Sequence, residues 1–366
     1  MSLRIFHTGD IHIGMKFNNY SEEAKESLSE ARFVALENMI SKSNGENTDI
    51  FVVAGDLFNT IQVAKRDITR TVKILDKFNG ACVLVLPGNH DYDNGMTDLW
   101  REFTNVHSEK IVLLNEEKEY YLNDYDLDVV VYPAPCHSKH SKENSLQWVK
   151  DQGLAATGKY HIGIAHGALE GLSPDIEGNY YYMSMEELSS IPTDLWLLGH
   201  THIRYPLVDN IQNNKIFNAG TPEPDGLDFK DMGSAWLIDI DEEKTNAERI
   251  ITGEYRFYDK EFELDSDDDL DKIISWALND NPKTKIIRLT LKGNLSKESY
   301  EELSSFYREL ESHVFYLRVD DSDLKIKINK EIIEKEFTKG SFPYEFLSGL
   351  EHDEEALQIA YDLMRR

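Results

Sequence analysis

Five times along this chain an apolar run of strand length ends in a small residue and hands over to a hard, metal-type side chain. Ile5-Phe6-His7-Thr8-Gly9-Asp10 runs on to His12, and Ile50-Phe51-Val52-Val53-Ala54-Gly55 ends at Asp56. Val83-Leu84-Val85-Leu86-Pro87-Gly88 ends at Asn89-His90-Asp91, His161-Ile162-Gly163-Ile164-Ala165 at His166, and Leu195-Trp196-Leu197-Leu198-Gly199 at His200-Thr201-His202. In open α/β sheets ligands gather beyond the carboxyl ends of the strands, so five such ends imply one shared site. A chance pair on a surface turn accounts for His200 and His202 alone. It does not account for the recurrence.

The rest of the chain bounds what surrounds that site. A length of 366 residues exceeds what one core usually serves and implies a large domain with a smaller one. The first strand follows Met1 almost at once, with no charged n-region, no apolar h-region and no membrane-length apolar run, so a soluble, cytoplasmic protein is expected. Two cysteines, Cys82 and Cys136, make neither a disulfide framework nor a thiolate metal site. The charge balance, 67 acidic against 39 basic residues for a formal net charge of −28, argues against a nucleic-acid partner on electrostatics alone. A polyanionic substrate would need local basic faces or a partner to hold it.

Residues 1 to about 240 alternate strands with helices, the signature of layered α/β architecture. Glu22 to Ser41 reads as a helix behind a Ser21 cap, with Ala24, Leu28, Ala31, Ala35 and Met39 on one stripe. Lys65 to Asn79 reads as a second, whose Arg66, Arg70, Lys73 and Lys77 share a solvated face. Short helix Thr97 to Phe103, strand Val129 to Tyr132 and a solvated loop at His137 to Lys142 follow. Tyr180-Tyr181-Tyr182 has the composition to stack bases, although such clusters more often pack an edge. Ile216 to Asn218 and Ser234 to Ile240 read as antiparallel strands closing the domain, followed by an acidic turn at Asp241 to Glu248. Beyond Tyr255 an acidic run from Glu261 to Asp271 leads into a helix to Leu278, strand Lys285 to Leu291, a helix capped by Ser296, and two strands, Val314 to Val319 and Leu324 to Ile328. Phe342 to Leu350 and the amphipathic Glu354 to Met364 end the chain.

Carboxylate, imidazole and amide oxygen without thiolate suit hard to borderline divalent ions: Mn²⁺, Fe²⁺ or Zn²⁺, and Mg²⁺ less well given so many imidazoles. Asp10, His12, Asp56, Asn89, His166, His200 and His202 are too many ligands for one ion. Two ions about 3.5–4 Å apart need a bridging group, and a carboxylate is the natural one; such a pair suits in-line hydrolysis of a phosphate ester.

The same motifs carry a resemblance. Gly9-Asp10-Ile11-His12, Gly55-Asp56, Gly88-Asn89-His90-Asp91, Ala165-His166-Gly167 and Gly199-His200-Thr201-His202 resemble the five motifs of the calcineurin-like metallophosphoesterase superfamily. Asp10-Ile11-His12-Ile13-Gly14, Gly55-Asp56-Leu57-Phe58 and Gly220-Thr221-Pro222-Glu223-Pro224 are similar to the nuclease subunit of the SbcCD DNA-repair exonuclease and its YhaO-like bacterial relatives. Asn59 stands where these nucleases commonly carry a second aspartate. The resemblance implies that Asp10, His12, Asp56 and His202 hold one ion, and that Asp56, Asn89, His166 and His200 hold the other, with Asp56 as the bridge. It implies Mn²⁺ first among the metals, His90 as the group that assists the leaving 3′ oxygen, and Asp91 as the residue that orients His90. The implied fold is an α/β, two-layer metallophosphoesterase sandwich (αββα) over residues 1–250, with a small α+β cap at 255–335 and a helical tail at 341–366. The implied function is a DNA exonuclease or endonuclease of DNA repair, and the nearest rival is a phosphodiesterase or phosphatase of small substrates. The family works with an SMC-like ATPase of the SbcC type, whose coiled coil binds the nuclease's C-terminal helices, and often dimerises through helices beside the active site. This chain carries no phosphate-binding G-x-x-x-x-G-K-[ST] loop, so ATP dependence would come from such a partner.

Overall fold

A computed structural model describes residues 2–173, 175 and 177–365. It divides into two compact units, Met1–Arg256 and Phe257–Arg366.

The first unit is built on the five apolar runs: β1 (Leu3–Thr8), β2 (Ile50–Ala54), β3 (Cys82–Leu86), β4 (Tyr160–His166) and β5 (Leu195–Gly199). They fall in two sheets. The first has the order Ile111–Leu113, β3, β2, β1, Ser234–Ile240, Thr245–Ile251, Asn210–Gln212, and the second the order Ile216–Asn218, β5, β4, Val129–Ala134, Tyr120–Tyr121. The parallel pairs β1–β2, β2–β3 and β4–β5 bring all five carboxyl ends to one edge of their sheets.

Why the runs are apolar at every position, rather than at alternate ones, follows from the layering. Successive side chains in a strand point to opposite faces. In β2, Ile50, Val52 and Ala54 pack between the two sheets against Ile162, Ile164, Leu195 and Leu197. Phe51 and Val53 point the other way, into a layer with Leu36, Met39, Val72 and Trp100 from the helices α1 (Glu22–Gly45) and α2 (Lys65–Leu75) and the short helix Asp98–Thr104. Trp196 and Leu198 of β5 meet Leu146, Val149 and Leu188 on the outer face of the second sheet. A strand covered on both faces must be apolar throughout. His7 shows how a polar residue survives there: it is fully buried, and its Nε2 lies 3.0 Å from the Leu198 carbonyl, tying β1 to β5 across the sheets.

Several elements depart from the expectation. Ile216–Asn218 and Ser234–Ile240 are not partners: the first pairs parallel to β5 and the second antiparallel to β1, in different sheets. The acidic stretch read as a turn contains a strand, Thr245–Ile251, because it pairs along its whole length with Ser234–Ile240 while only one face needs to be apolar. α2 stops at Leu75, short of the expected Asn79; its basic face is solvated as read, with Arg70, and Lys77 just beyond the helix, forming ion pairs with Glu30 and Glu37 of α1.

In the second unit a three-stranded sheet, Arg256–Leu264, Lys285–Leu295 and Tyr316–Ile326, is packed by the helices Asp268–Leu278 and Lys297–His313, with Ile273, Leu289, Leu303, Phe306 and Leu310 in its core. The two short strands expected after Val314 are one strand, in parallel register with Lys285–Leu295, the register shifting where Thr290 and Lys292 of that partner face Asp320 and Asp323. The acidic run hid the first strand, whose outward positions are charged. Ser296 caps its helix as read, accepting from the Ser299 amide. Ile333, Tyr344, Leu347, Leu357 and Tyr361 of the last three helices form a small core of their own, leaving Phe342 and Leu363 exposed. Among the described residues no helix is long and apolar enough to cross a membrane.

Leu197 lies between the sheets with no exposed surface. Leu197→Ala should lower the unfolding free energy by about 3 kcal/mol, read as a lower urea midpoint at unchanged slope. A loss under about 1 kcal/mol would mean that this layer is not the close-packed core described.

Candidate metal centre

The sharp turns at the strand ends set the site. Asp10, His12, Asp56 and His200 adopt left-handed backbone with φ of 52°, 54°, 52° and 98°. Non-glycine residues seldom occupy this region, and such strain clusters at functional sites where the surrounding structure enforces it. The recurrent glycines have a separate cause, which is room. A Cβ on Gly55 would lie 2.0 Å from Nδ1 of His166, and one on Gly199 would lie 2.0 Å from the Ala54 carbonyl oxygen. The small residues let β2, β4 and β5 close together, so that the side chains after them converge.

They converge as follows. Asp56 Oδ2 faces His166 Nε2 at 3.3 Å and His12 Nε2 at 3.8 Å, while its Oδ1 accepts from the His90 amide at 2.8 Å. Asn89 Oδ1 lies 3.1 Å from His166 Nε2 and 2.9 Å from His200 Nδ1. Asp10 accepts from the His200 amide, and its Oδ1 is 3.9 Å from His202 Nε2. His202 Nε2 in turn sits 3.1 Å from His12 Nε2. One donor atom each from Asp10, His12 and His202 lie within 4.8 Å of one another, and so do donors from Asp10, Asp56 and His166. All seven sequence-predicted ligands are thus in one cluster, and one oxygen of Asp56 faces both His12 and His166.

The donor set fits divalent cations. Asp10 and Asp56 are buried, and among the described residues neither is hydrogen-bonded to a lysine or arginine nitrogen. A buried carboxylate without a compensating charge costs several kcal/mol. Here the nearest partners are imidazoles. Burial would strip the His166 proton, but the Asp56 carboxylate outweighs it and raises the imidazole to about 9. Burial likewise opposes charge on His202, and Asp225 overcomes it, again to about 9. Two imidazole nitrogens 3.1 Å apart and an orphaned buried Nδ1 on His12 complete a set of donors suited to metal ions.

His90 is half-buried beside this cluster, its ring edge-on to His12 with centroids 4.9 Å apart. Its orientation corrects the expectation for Asp91. The His90 Nδ1 lies 3.1 Å from the Asn59 carbonyl oxygen, whereas the Asp91 carboxylate accepts from the Gly88 amide at 2.7 Å and the Phe58 amide at 2.9 Å. Asp91 therefore fastens the β2 and β3 turns together, and the backbone at 59 holds His90. The departure from aspartate at 59 leaves that hold intact, since a carbonyl makes it.

Sequence reasoning missed three residues here. Arg32, fully buried in α1, donates to the Ile11 and Pro224 carbonyls. Asp225 binds His202 Nδ1 at 2.7 Å, and Glu223 accepts the amides of Glu254 and Tyr255. An arginine beside the apolar stripe of α1, and acids within and directly after the Gly220-Thr221-Pro222 turn, were the available signals.

At pH 7 the metal-free site holds protons on His166 and His202 that an ion must displace, so metal affinity should rise as pH increases from 6 toward 9. Calorimetry in buffers of different ionisation enthalpy should register proton release on metal binding. Affinity that is flat or falls over that range would contradict this account.

The family model described as calcineurin-like phosphoesterase matches residues 3–204. The uncharacterized metallophosphoesterase YhaO of Bacillus subtilis (strain 168) is 27% identical over 217 residues, 56% of this chain and 50% of that protein, so the chain matches about half the length of this curated relative. Among solved structures, TT1561 of Thermus thermophilus aligns at 14% identity with a TM-score of 0.41, covering 65% of this chain and 95% of that one. Purple acid phosphatase PPD1 of yellow lupin (Lupinus luteus) aligns at 12% with a TM-score of 0.37, covering 66% and 49%. With the family model spanning all five ligand-bearing turns, the chain belongs to the calcineurin-like phosphoesterase family.

Proposed function

We propose that this protein is a phosphodiesterase with two divalent ions, most readily Mn²⁺, and that its substrate is DNA, cut as by the SbcD-type nucleases. The observation that carries the reading is that one carboxylate oxygen of Asp56 faces both His12 and His166, within one cluster of seven donors. Asp10, His12, Asp56 and His202 would hold one ion, and Asp56, Asn89, His166 and His200 the other. When bound, such a pair supplies Lewis-acid stabilisation of phosphoryl charge and a nucleophile from water.

The chain's own groups do the rest. Because a carbonyl only accepts, the Asn59 oxygen keeps the hydrogen on Nδ1 of His90 and leaves Nε2 as the atom that holds and passes a proton to the leaving oxygen. His90, His200, His202 and Tyr180 line a cavity of about 960 Å³ that opens beside the cluster. Tyr180 stacks on His200 with ring centroids 5.3 Å apart, and His140 lies 4.9 Å beyond it, a ring series suited to an unpaired base. The exposed Phe342, Phe346, Ile359 and Leu363 of the last helices support an apolar partner such as the coiled coil of an SMC-like ATPase. Self-association into a homodimer and a capping role for the second unit belong to the same reading.

One observation favours the second reading, a phosphodiesterase or phosphatase of small substrates. The cavity rim carries Asp175, Glu177, Asp228 and Asp231 against Lys230 and Arg204, and Arg204 is already paired with Asp231. Such a rim repels a long polyanion more than a short one.

Hydrolysis of duplex DNA, single-stranded DNA and cyclic nucleotides, each with Mn²⁺, with Mg²⁺ and with chelator, separates the two readings. The nuclease reading expects Mn²⁺-dependent DNA cleavage, abolished by chelator and reduced about 10²- to 10⁴-fold by His90→Asn at unchanged metal content. Turnover confined to cyclic nucleotides would favour the second reading, and full activity of the variant would remove His90 from the chemistry.

A further inference from the structure

The four histidines of the cluster are not held alike. His166 has its Nδ1 2.8 Å from the Ala54 carbonyl, and the buried Nδ1 of His12 has no hydrogen-bond partner. Of these four histidines, among the described residues only His202 meets a carboxylate from outside the seven donors, Asp225, whose Oδ2 lies 2.7 Å from its Nδ1.

Asp225 is itself fixed. It ends a strap, Thr221 to Asp225, that is fastened at nearly every residue. Thr221 Oγ1 lies 2.9 Å from the Asp10 carbonyl oxygen, Glu223 accepts two amides from residues 254 and 255, and the Pro224 carbonyl accepts from buried Arg32 at 3.3 Å. The strap therefore touches two members of one triad, the backbone of Asp10 and the ring of His202, and it places Asp225 on the side of that ring facing away from His12.

We infer that Asp225 is a positioning residue that fixes the tautomer and ring angle of His202 and thereby sets the affinity of one ion position, the one formed by Asp10, His12 and His202, independently of the other. A carboxylate accepts, so in the metal-loaded protein Nδ1 carries the hydrogen and Nε2, 3.1 Å from His12 Nε2, presents its lone pair to the ion. The two positions then differ in dependence: the Asn89, His166 and His200 side draws on a backbone carbonyl at His166 and needs no strap.

The inference rests on the two-ion reading of the cluster, and the test keeps the two apart. Metal-stripped full-length protein is titrated with Mn²⁺ and with Zn²⁺, for the native chain, Asp225→Asn and Asp225→Ala, and each metal-free protein is melted. The native chain should bind two ions. The variants should hold one of them about 10- to 100-fold more weakly and the other as before, with metal-free Asp225→Asn still unfolding in one cooperative transition. In the zinc-loaded native protein, ¹⁵N ring shifts of His202 should report hydrogen on Nδ1, a readout that a merely structural role for Asp225 would not move. Affinities of Asp225→Asn that match the native chain at both positions or fall equally at both, or hydrogen on Nε2 of His202 in the native protein, overturn the inference. The tautomer decides alone should a variant fail to fold. Absence of divalent binding by the native chain would instead overturn the two-ion reading.

Discussion

Two carboxylates, Asp10 and Asp56, are buried at the carboxyl edge of a double sheet with imidazoles as their nearest charge partners, and much of the architecture exists to keep them there. Each sits in a left-handed turn directly after a glycine. Each is also tied by a backbone amide from another turn: the His200 amide binds Asp10 and the His90 amide binds Asp56. Moving either turn would leave a carboxylate buried without its donors, a penalty comparable to a large part of the stability of a domain. The electrostatics and the fold thus specify one another.

The two sheets make this possible. A single parallel sheet would line its ligands along one edge, but here β2 packs over β4 and β5, so that Gly55 and Gly199 bring Asp56, His166 and His200 into one volume. Asp91 holds the β2 and β3 turns together from inside, and the Asn59 carbonyl sets the ring of His90 at the rim. The net charge of −28 is consistent with this arrangement on the inside and awkward for a polyanion on the outside. The acidic rim raises the same tension locally, and the proposed DNA reading and its small-substrate rival part on it.

Much of this was legible in the sequence because buried strands and metal-type ligands each leave strong marks. The doubly covered strands appear as unbroken apolar runs, and the seven donors follow them at once. What was not legible has physical reasons. Thr245–Ile251 pairs through its backbone and covers only one face, so its pattern of Glu248 and Arg249 looked like a turn. The partnership of Ile216–Asn218 with β5 joins separate segments across a long connection, and no local pattern records which strand a short segment will choose. The link from Asp225 to His202 spans a turn whose course only the packed structure fixes, and the role expected for Asp91 failed because adjacency in sequence put it beside His90 while the turn aimed it inward.

The central claim is that Asp56 stands between two cation positions. Crystals grown in Mn²⁺ and measured at the manganese absorption edge test it most directly. The account predicts two anomalous peaks about 3.5–4 Å apart, one against Asp10, His12 and His202 and one against Asn89, His166 and His200, with Asp56 touching both. A single peak, or two that do not share Asp56, would contradict it.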